Sequence, residues 1–252
     1  MSDKKVALVT GSARGIGRAI AARLARDGFV VAVNHPSEED NGDQTVQLIR
    51  ETGGEAESFR ADVGLPDEAT GLVHAVAERF GRLDVVVNNA GICPFTPLDT
   101  ITLETWNRTH DVNLRGTFLV SKAASEVMIR GGRGGRIVAI SSISAIAGGS
   151  QQIAYTPSKA GQVSLMRSLA VALGSHGITA NSVEPGTIWT DLNNEVLSDP
   201  TMLAHYEGRV PVGRIGVPDD IAGAVSFLVS DDAGYISGTE ILVDGGALIN
   251  LA

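Results

Sequence analysis

Short, continuous apolar runs rich in β-branched residues alternate along this chain with longer stretches of helical period, and this rhythm constrains the fold most. Val6–Thr10, Val30–Val33, Glu57–Arg60, Val85–Asn88, Ile137–Ser141, Thr179–Val183 and Ile241–Val243 read as strands. Between them, Ile16–Arg26, Asp43–Thr52, Asp67–Phe80, Thr105–Ile129, Ile153–Leu173 and Asp219–Val229 read as helices. The strands lack the polar–apolar alternation of a half-wet sheet, so helices are expected to cover both sheet faces. Repeated β–α units with right-handed crossovers then imply an α/β fold, one doubly wound parallel sheet. No shift in composition marks a linker across the 252 residues, so a single domain is expected. The segment 190–211 departs from the alternation, with Asn193, Asn194, Asp199, Pro200 and Gly208 between a strand and a helix. An insertion after a strand end is expected to serve ligand binding, because ligands of such sheets sit at the carboxyl edge.

Composition excludes several function classes. Hydrophobic content of 43% with 19% charge describes an ordinary globular chain. A net charge of −9 disfavours nonspecific nucleic-acid binding, and no basic tract opposes it. The single cysteine, Cys93, excludes an intrachain disulfide and a cysteine-built metal site. His35, His74, His110, His176 and His205 show no ligand-like spacing, so no metal is expected. No apolar run approaches the roughly 18 residues of a membrane span. Met1-Ser-Asp-Lys-Lys5 leads into a strand without a signal peptide's apolar region, which makes a cytoplasmic location the expectation. Glycine is abundant at 30 residues and clusters at strand-to-helix junctions, as backbone approaching a ligand requires.

Four local patterns carry chemistry. Thr10-Gly11-Ser12-Ala13-Arg14-Gly15-Ile16-Gly17 follows the first strand and opens a helix, which would bring backbone amides and a helix N-terminus against a pyrophosphate. Its spacing is G-x-x-x-G-x-G, and no Gly-Lys-Ser/Thr follows, so it is not a P-loop. Asn88-Asn89-Ala90-Gly91 ends the fourth strand with small residues that leave room for a flat ligand. Ser141 and Ser142 end the next strand at the same sheet edge. Tyr155-Thr-Pro-Ser-Lys159 then sets a phenol and an ammonium on one helix face. A phenol with a pKa of about 10 is a poor base at neutral pH, but a neighbouring cation favours its phenolate. The pair is a proton-transfer device, or else a surface lysine beside a half-buried tyrosine.

The glycine turn, Asn88–Gly91, Ser142, Tyr155-x-x-x-Lys159 and Pro185-Gly186 occur in the order seen in the short-chain dehydrogenase/reductase family, which the chain resembles over nearly its whole length. The resemblance implies a seven-stranded, Rossmann-type sheet that binds a nicotinamide dinucleotide. It implies that Tyr155 is the catalytic acid/base and that Lys159 binds the nicotinamide ribose while lowering the tyrosine pKa. Ser142 then holds the reacting oxygen, and Asn113 keeps a water for proton relay through the lysine. Ser141 could be taken for Ser142, but spacing and the family pattern favour the second hydroxyl. Cofactor contacts are expected from Gly11, Ser12, Arg14, Gly15, Ile16, Gly17, Asn34, His35, Ser37, Asp62, Val63, Asn89, Ala90, Gly91, Pro185, Gly186, Ile188 and Thr190, besides Tyr155 and Lys159. Asp62 matches the family's adenine-contacting aspartate; its lesser alternative is a helix-entry cap. A homotetramer is also implied.

The second strand carries no acid at its tip in Val33-Asn34-His35-Pro36-Ser37, and Arg14 occupies a basic position resembling NADP-preferring members. NADP is therefore expected, with NAD a usable second, because Glu38, Glu39 and Asp40 follow closely and could repel a phosphate. Expected substrate contacts are Cys93, Ser142, Ser144, Gln152, Trp189 and Asn193, a polar set suited to a hydroxyl-rich molecule. Trp189 could stack on a sugar face, and Ile146, Trp189 or Leu192 could offer an apolar corner. The strings Asn89–Phe95, Ser141–Ala145, Tyr155–Gly161, Pro185–Ile188 and Val243–Gly246 resemble the family's aldose 1-dehydrogenases, which implies oxidation of a sugar such as L-rhamnose at C1 to its lactone. The alternatives are a 3-oxoacyl-carrier-protein reductase, a general carbonyl reductase or a dinucleotide-sensing regulator.

Overall fold

The computed structural model describes residues 4–191 and 193–250. Seven strands, β1 (Val6–Val9), β2 (Val30–His35), β3 (Glu55–Arg60), β4 (Val85–Asn88), β5 (Gly135–Ile140), β6 (Ile178–Pro185) and β7 (Glu240–Val243), form one sheet in the order β3-β2-β1-β4-β5-β6-β7. Every neighbouring pair is parallel. The central strands are apolar on both sides because each side meets helices, whereas β3, Glu-Ala-Glu-Ser-Phe-Arg at the sheet edge, is mostly polar. Ala7, Val9, Val31, Val87 and Val138 pack against α1 (Gly15–Arg26), α2 (Gly42–Glu51) and α9 (Pro218–Val229). Their neighbours Val6, Leu8, Ala32, Val86 and Ile137 pack on the opposite face against α3 (Pro66–Phe80), α5 (Gly116–Gly131) and α6 (Tyr155–Leu173). Two dry clusters sandwich the sheet, as a doubly wound fold requires.

Strand ends differ from expectation by at most two residues. β2 runs on through Asn34 and His35 because these polar residues stay in register with Phe59 and Arg60. β1 and β5 stop at Val9 and Ile140, although the Thr10 and Ser141 amides still bond to Val87 and Val183 as the chain leaves the sheet. A larger difference concerns the long helix expected over 105–129. The structure breaks it into α4 (Leu103–His110), a π-turn at Asp111–Arg115, and α5. The π-turn exposes the Asn113 carbonyl to side-chain donors: Thr117 Oγ1 donates to it at 2.6 Å and Gln162 Nε2 at 2.8 Å.

Among the described residues of the segment 190–211 are two short helices, α7 (Asn194–Leu197) and α8 (Pro200–Gly208). Asp199 starts α8 by accepting from the amides of Thr201 and Met202, and Pro200 takes the first helical position. Strand order reverses between β1 and β4, and the carboxyl ends of β1, β4, β5 and β6 open on one edge there.

Candidate active site

The glycine turn brings the chain from β1 into α1 at that edge. Gly11 adopts φ +61°, and a Cβ there would stand 2.9 Å from the Ala90 Cα, so the β4 loop packs directly on the turn. α1 begins without a side-chain cap and without an acid in its first turn. Its unpaired amides and positive dipole end therefore face the cleft ready for an anion. These backbone features fit a dinucleotide's pyrophosphate.

Several side chains expected to touch a cofactor also bond within the protein. Ser12 Oγ donates to the Val9 carbonyl at 2.7 Å and accepts from the Asn34 amide at 3.1 Å. Asn34 accepts from Gly11 N at 3.2 Å and donates to the carbonyls of Phe59 and Ala61. Its role is a strut between the glycine turn and the β3 end, although it still borders the adenosine-side cavity. Asn89 Nδ2 likewise clasps the Thr10 and Gly11 carbonyls. Asp62 holds Arg108 Nη2 at 2.6 Å and the Gly64 amide at 2.9 Å.

Beyond the turn lie the chemical groups. Tyr155 is the first residue of α6, and Lys159, one turn on, sets its Nζ over the phenol ring, 5.5 Å from the ring centre. Lys159 is 3% exposed and donates to the Ile140 carbonyl at 2.8 Å. Burial lowers its pKa to about 8. Burial also pushes the Tyr155 phenol up, the nearby Cys93 thiol adds to this, and a hydrogen bond with Ser142 opposes it. The chain alone thus favours the protonated phenol, because desolvation is the largest influence on it. Ser142 also accepts from the Ser144 amide at 3.0 Å, whereas Ser141 Oγ is spent on the Lys159 carbonyl at 3.0 Å. Ser142, not Ser141, therefore meets the tyrosine.

Asn113 lies behind this group. Its side chain accepts from Ile92 N at 2.9 Å and donates to Ile92 O and Ser158 Oγ, both at 3.0 Å. It clamps the β4 loop to α6. At Gly91 a Cβ would stand 3.3 Å from Lys159 Nζ and 3.4 Å from Asn113 Oδ1, so a side chain would crowd both.

A cleft of about 520 Å³ collects Arg14, Gly15, Ile16, Gly17, Asn89, Gly91, Cys93, Ser142, Tyr155, Lys159, Pro185, Gly186, Ile188, Thr190 and Asn193. A second cavity of about 200 Å³ shares Arg14, Asn89, Gly91 and Ile92 with it and adds Gly11, Asn34, His35, Asp40, Asp62, Val63, Ala90 and Arg108. Arg108 was missed in the sequence because its only signal, the pairing with Asp62, spans 46 residues.

The expected substrate residues divide. Cys93 lines the cleft, and burial pushes its thiol up to about 11, so it is a small neutral wall. Gln152 Nε2 approaches Cys93 Sγ at 3.7 Å, and Ser144 Oγ donates to Gln152 Oε1 at 3.1 Å, which ties these residues into one polar row beside Ser142. Asn193 borders the cleft, but its amide is used on the Ile188 carbonyl and on Thr190. Trp189 is not brought to Tyr155: its indole borders a separate groove with Arg18 and Arg26 and donates to Asn194 Oδ1 at 3.1 Å. The turn that Asn193 fastens directs it there. Ile146 is exposed, and Leu192 lies outside the described residues. Among the described residues no cluster of His, Cys, Asp or Glu is grouped to hold a metal ion, and no helix is long and apolar enough to cross a membrane.

A family profile described as Enoyl-(Acyl carrier protein) reductase matches residues 11–247, from the glycine turn to beyond β7. The chain belongs to the short-chain dehydrogenase/reductase family. Within this oxidoreductase family it is 46% identical to an L-rhamnose-1-dehydrogenase of Scheffersomyces stipitis, over 98% of this chain and 97% of that one. It is 47% identical to an L-rhamnose 1-dehydrogenase (NAD(P)(+)) of Azotobacter vinelandii, over 98% of each chain. The crystal structure of acetoin dehydrogenase from Enterobacter cloacae superposes with a TM-score of 0.89 at 34% identity, covering 99% of this chain and 97% of that one.

Proposed function

We propose that this short-chain dehydrogenase/reductase oxidises an aldose at C1, L-rhamnose or a close 6-deoxy relative, to the lactone. The convergence of Ser142, Tyr155 and Lys159 on one cleft beside an uncapped helix N-terminus carries the reading. Likeness to L-rhamnose 1-dehydrogenases over nearly the full chain supports the choice of sugar.

In this reading the α1 amides and the backbone of Gly11 and Gly15–Gly17 hold the pyrophosphate, while Asp62 and Val63 flank the adenine. Lys159 donates to the nicotinamide ribose, and Pro185, Gly186, Ile188 and Thr190 border the ring end. Arg14 favours a 2′-phosphate, so NADP is preferred and NAD is a usable second. A bound oxidised nicotinamide supplies the hydride acceptor and a positive charge. Tyr155 takes the proton of the C1 hydroxyl while the C1–H bond breaks and a C1=O bond forms. Ser142 donates to that oxygen and stabilises its developing charge. A second positive charge in the cleft offsets the desolvation that otherwise keeps the phenol protonated. Asn113 fixes the loop against which Lys159 stands. Cys93, Ser144 and Gln152 form the polar side of the sugar pocket, and residues 190–211 bound its mouth. Family resemblance further supports a cytoplasmic homotetramer.

The test is the ratio of kcat/KM for L-rhamnose to that for an acetoacetyl thioester, each in its natural direction and with both cofactors. A site built around sugar hydroxyls should favour L-rhamnose by at least about 10²-fold, since an analogue without those hydroxyls leaves buried polar groups unpaired. Preference for the thioester would move the chain to the acyl-chain reductases.

A further inference from the structure

We infer that Gln162 is a positioning residue for the catalytic pair, fixing the π-turn that braces Tyr155 and Lys159 from behind; its effect on turnover rests on the sugar-oxidation reading above. Gln162 is fully buried on α6 and borders neither cavity, so it touches no substrate. Its Nε2 donates to the Asn113 carbonyl at 2.8 Å and to Thr117 Oγ1 at 2.7 Å, and Thr117 Oγ1 donates to the same carbonyl at 2.6 Å. These contacts fix the amide's orientation, since a flipped amide would set its oxygen against the carbonyl oxygen. Both lone pairs of the carbonyl are then filled by side chains, so it anchors the frame and does not hold a water.

The other end of Asn113 faces the chemistry. Its side chain accepts from the Ile92 amide, donates to the Ile92 carbonyl and donates to Ser158 Oγ. Ser158 Oγ in turn donates to the Tyr155 carbonyl at 2.6 Å. Ser158 and Gln162 stand one turn apart on the buried face of α6, so the helix grips Asn113 twice, once by its side chain and once by its carbonyl. At Gly161 a Cβ would stand 2.8 Å from Leu114 Cδ2, so the π-turn packs directly on this part of α6. The loop that Asn113 clamps carries Gly91, which stands against Lys159 Nζ. A shift of the π-turn would therefore move the wall beside Lys159 and loosen the turn that carries Tyr155. Gln162 Oε1 is buried without a donor among the described residues. Such an acceptor weakens the fold, and an apolar side chain would avoid it, so the contribution of the glutamine lies in where its two donors hold the carbonyl.

The experiment compares the wild type, Gln162→Met and Met166→Leu. Methionine keeps the unbranched length of glutamine and removes both donors. Met166 is a fully buried core residue of α6 outside this network, and leucine nearly conserves its volume. With L-rhamnose, Gln162→Met should lower kcat by about 10- to 100-fold, since misplacing reacting groups by roughly 1 Å can cost that much. KM and the NADPH dissociation constant should stay near their wild-type values. Hydrogen exchange at the Ile92 amide, which donates to Asn113 Oδ1, reads the frame without any substrate and should be about ten-fold faster in Gln162→Met. Met166→Leu should match the wild type in every measurement. Thr117→Val unpairs the same carbonyl from its other side, should give the same split, and carries the test if Gln162→Met does not fold. An unchanged kcat, or a loss seen wholly in KM, would overturn the positioning role, and unchanged exchange at Ile92 would overturn the frame behind it. An equal loss in Met166→Leu would overturn both, since general loosening of α6 would then be the cause. A wild type inactive on L-rhamnose would overturn the proposed function, and the exchange measurement would then decide the frame by itself.

Discussion

Tyr155 and Lys159 sit at the base of the cleft, and burial drives both toward neutrality: the phenol keeps its proton and the ammonium gives its own up at about 8. Between about 8 and the ordinary 10.5 the folded lysine is neutral while the unfolded one is still charged. The unfolded chain then binds more protons, so this group makes stability rise with pH across that window and lowers it below. The dinucleotide-free wild type should gain stability relative to Lys159→Met as pH rises from 8 to 10.5, which denaturant midpoints at matched pH would read. Parallel curves for the two proteins would mean the lysine is not desolvated. Of the residues involved, Tyr155, Lys159 and Ser142 were legible because their chemistry depends on residue type and short spacing. Arg108 was not, because its place beside the second cavity depends on a contact with Asp62, 46 residues away.

At the level of elements, the apolar period located the central strands and most of the long helices, since packing on both sheet faces leaves a continuous signal; the polar edge strand β3 carries little of it. The π-turn in the middle of the expected 105–129 helix left none. Its extra carbonyl is satisfied by Thr117 one turn on and by Gln162, which lies 49 residues away on α6 and is fully buried. Thr117→Val keeps the side-chain shape but leaves the Asn113 carbonyl with one donor, and removes the acceptor that Gln162 Nε2 meets at 2.7 Å. The expected loss is about 2 kcal/mol, the usual cost of unpairing buried polar groups. Urea unfolding would measure it, and an unchanged midpoint would show that the π-turn does not depend on this hydroxyl. Loop elements were opaque for a related reason. Trp189 has the composition of a sugar platform, but the Asn193-fastened turn directs it into another groove.

Across the whole molecule, the parallel sheet turns scattered motifs into one surface. The glycine turn follows β1, Asn89–Gly91 follows β4, Ser142 follows β5 and Pro185-Gly186 closes β6, so a common strand direction delivers all four to the same edge. That delivery was legible in advance because each motif stands directly after an apolar run, and parallel strands place their carboxyl ends together. Which groove walls close around a sugar was not legible, since it depends on α7 and α8 and on loop hydrogen bonds set by tertiary contacts. The central claim is hydride transfer from a sugar C1 with Tyr155 taking the proton, and L-rhamnose deuterated at C1 tests it most directly. Mixed with oxidised dinucleotide and the wild type, it should yield lactone and deuterated reduced nicotinamide in equal amounts. Tyr155→Phe should bind the dinucleotide as the wild type does and lose roughly 10²- to 10⁴-fold in rate, the usual worth of a positioned acid/base. Deuterium that stayed on the sugar, or a Tyr155→Phe variant turning over at the wild-type rate, would contradict the account.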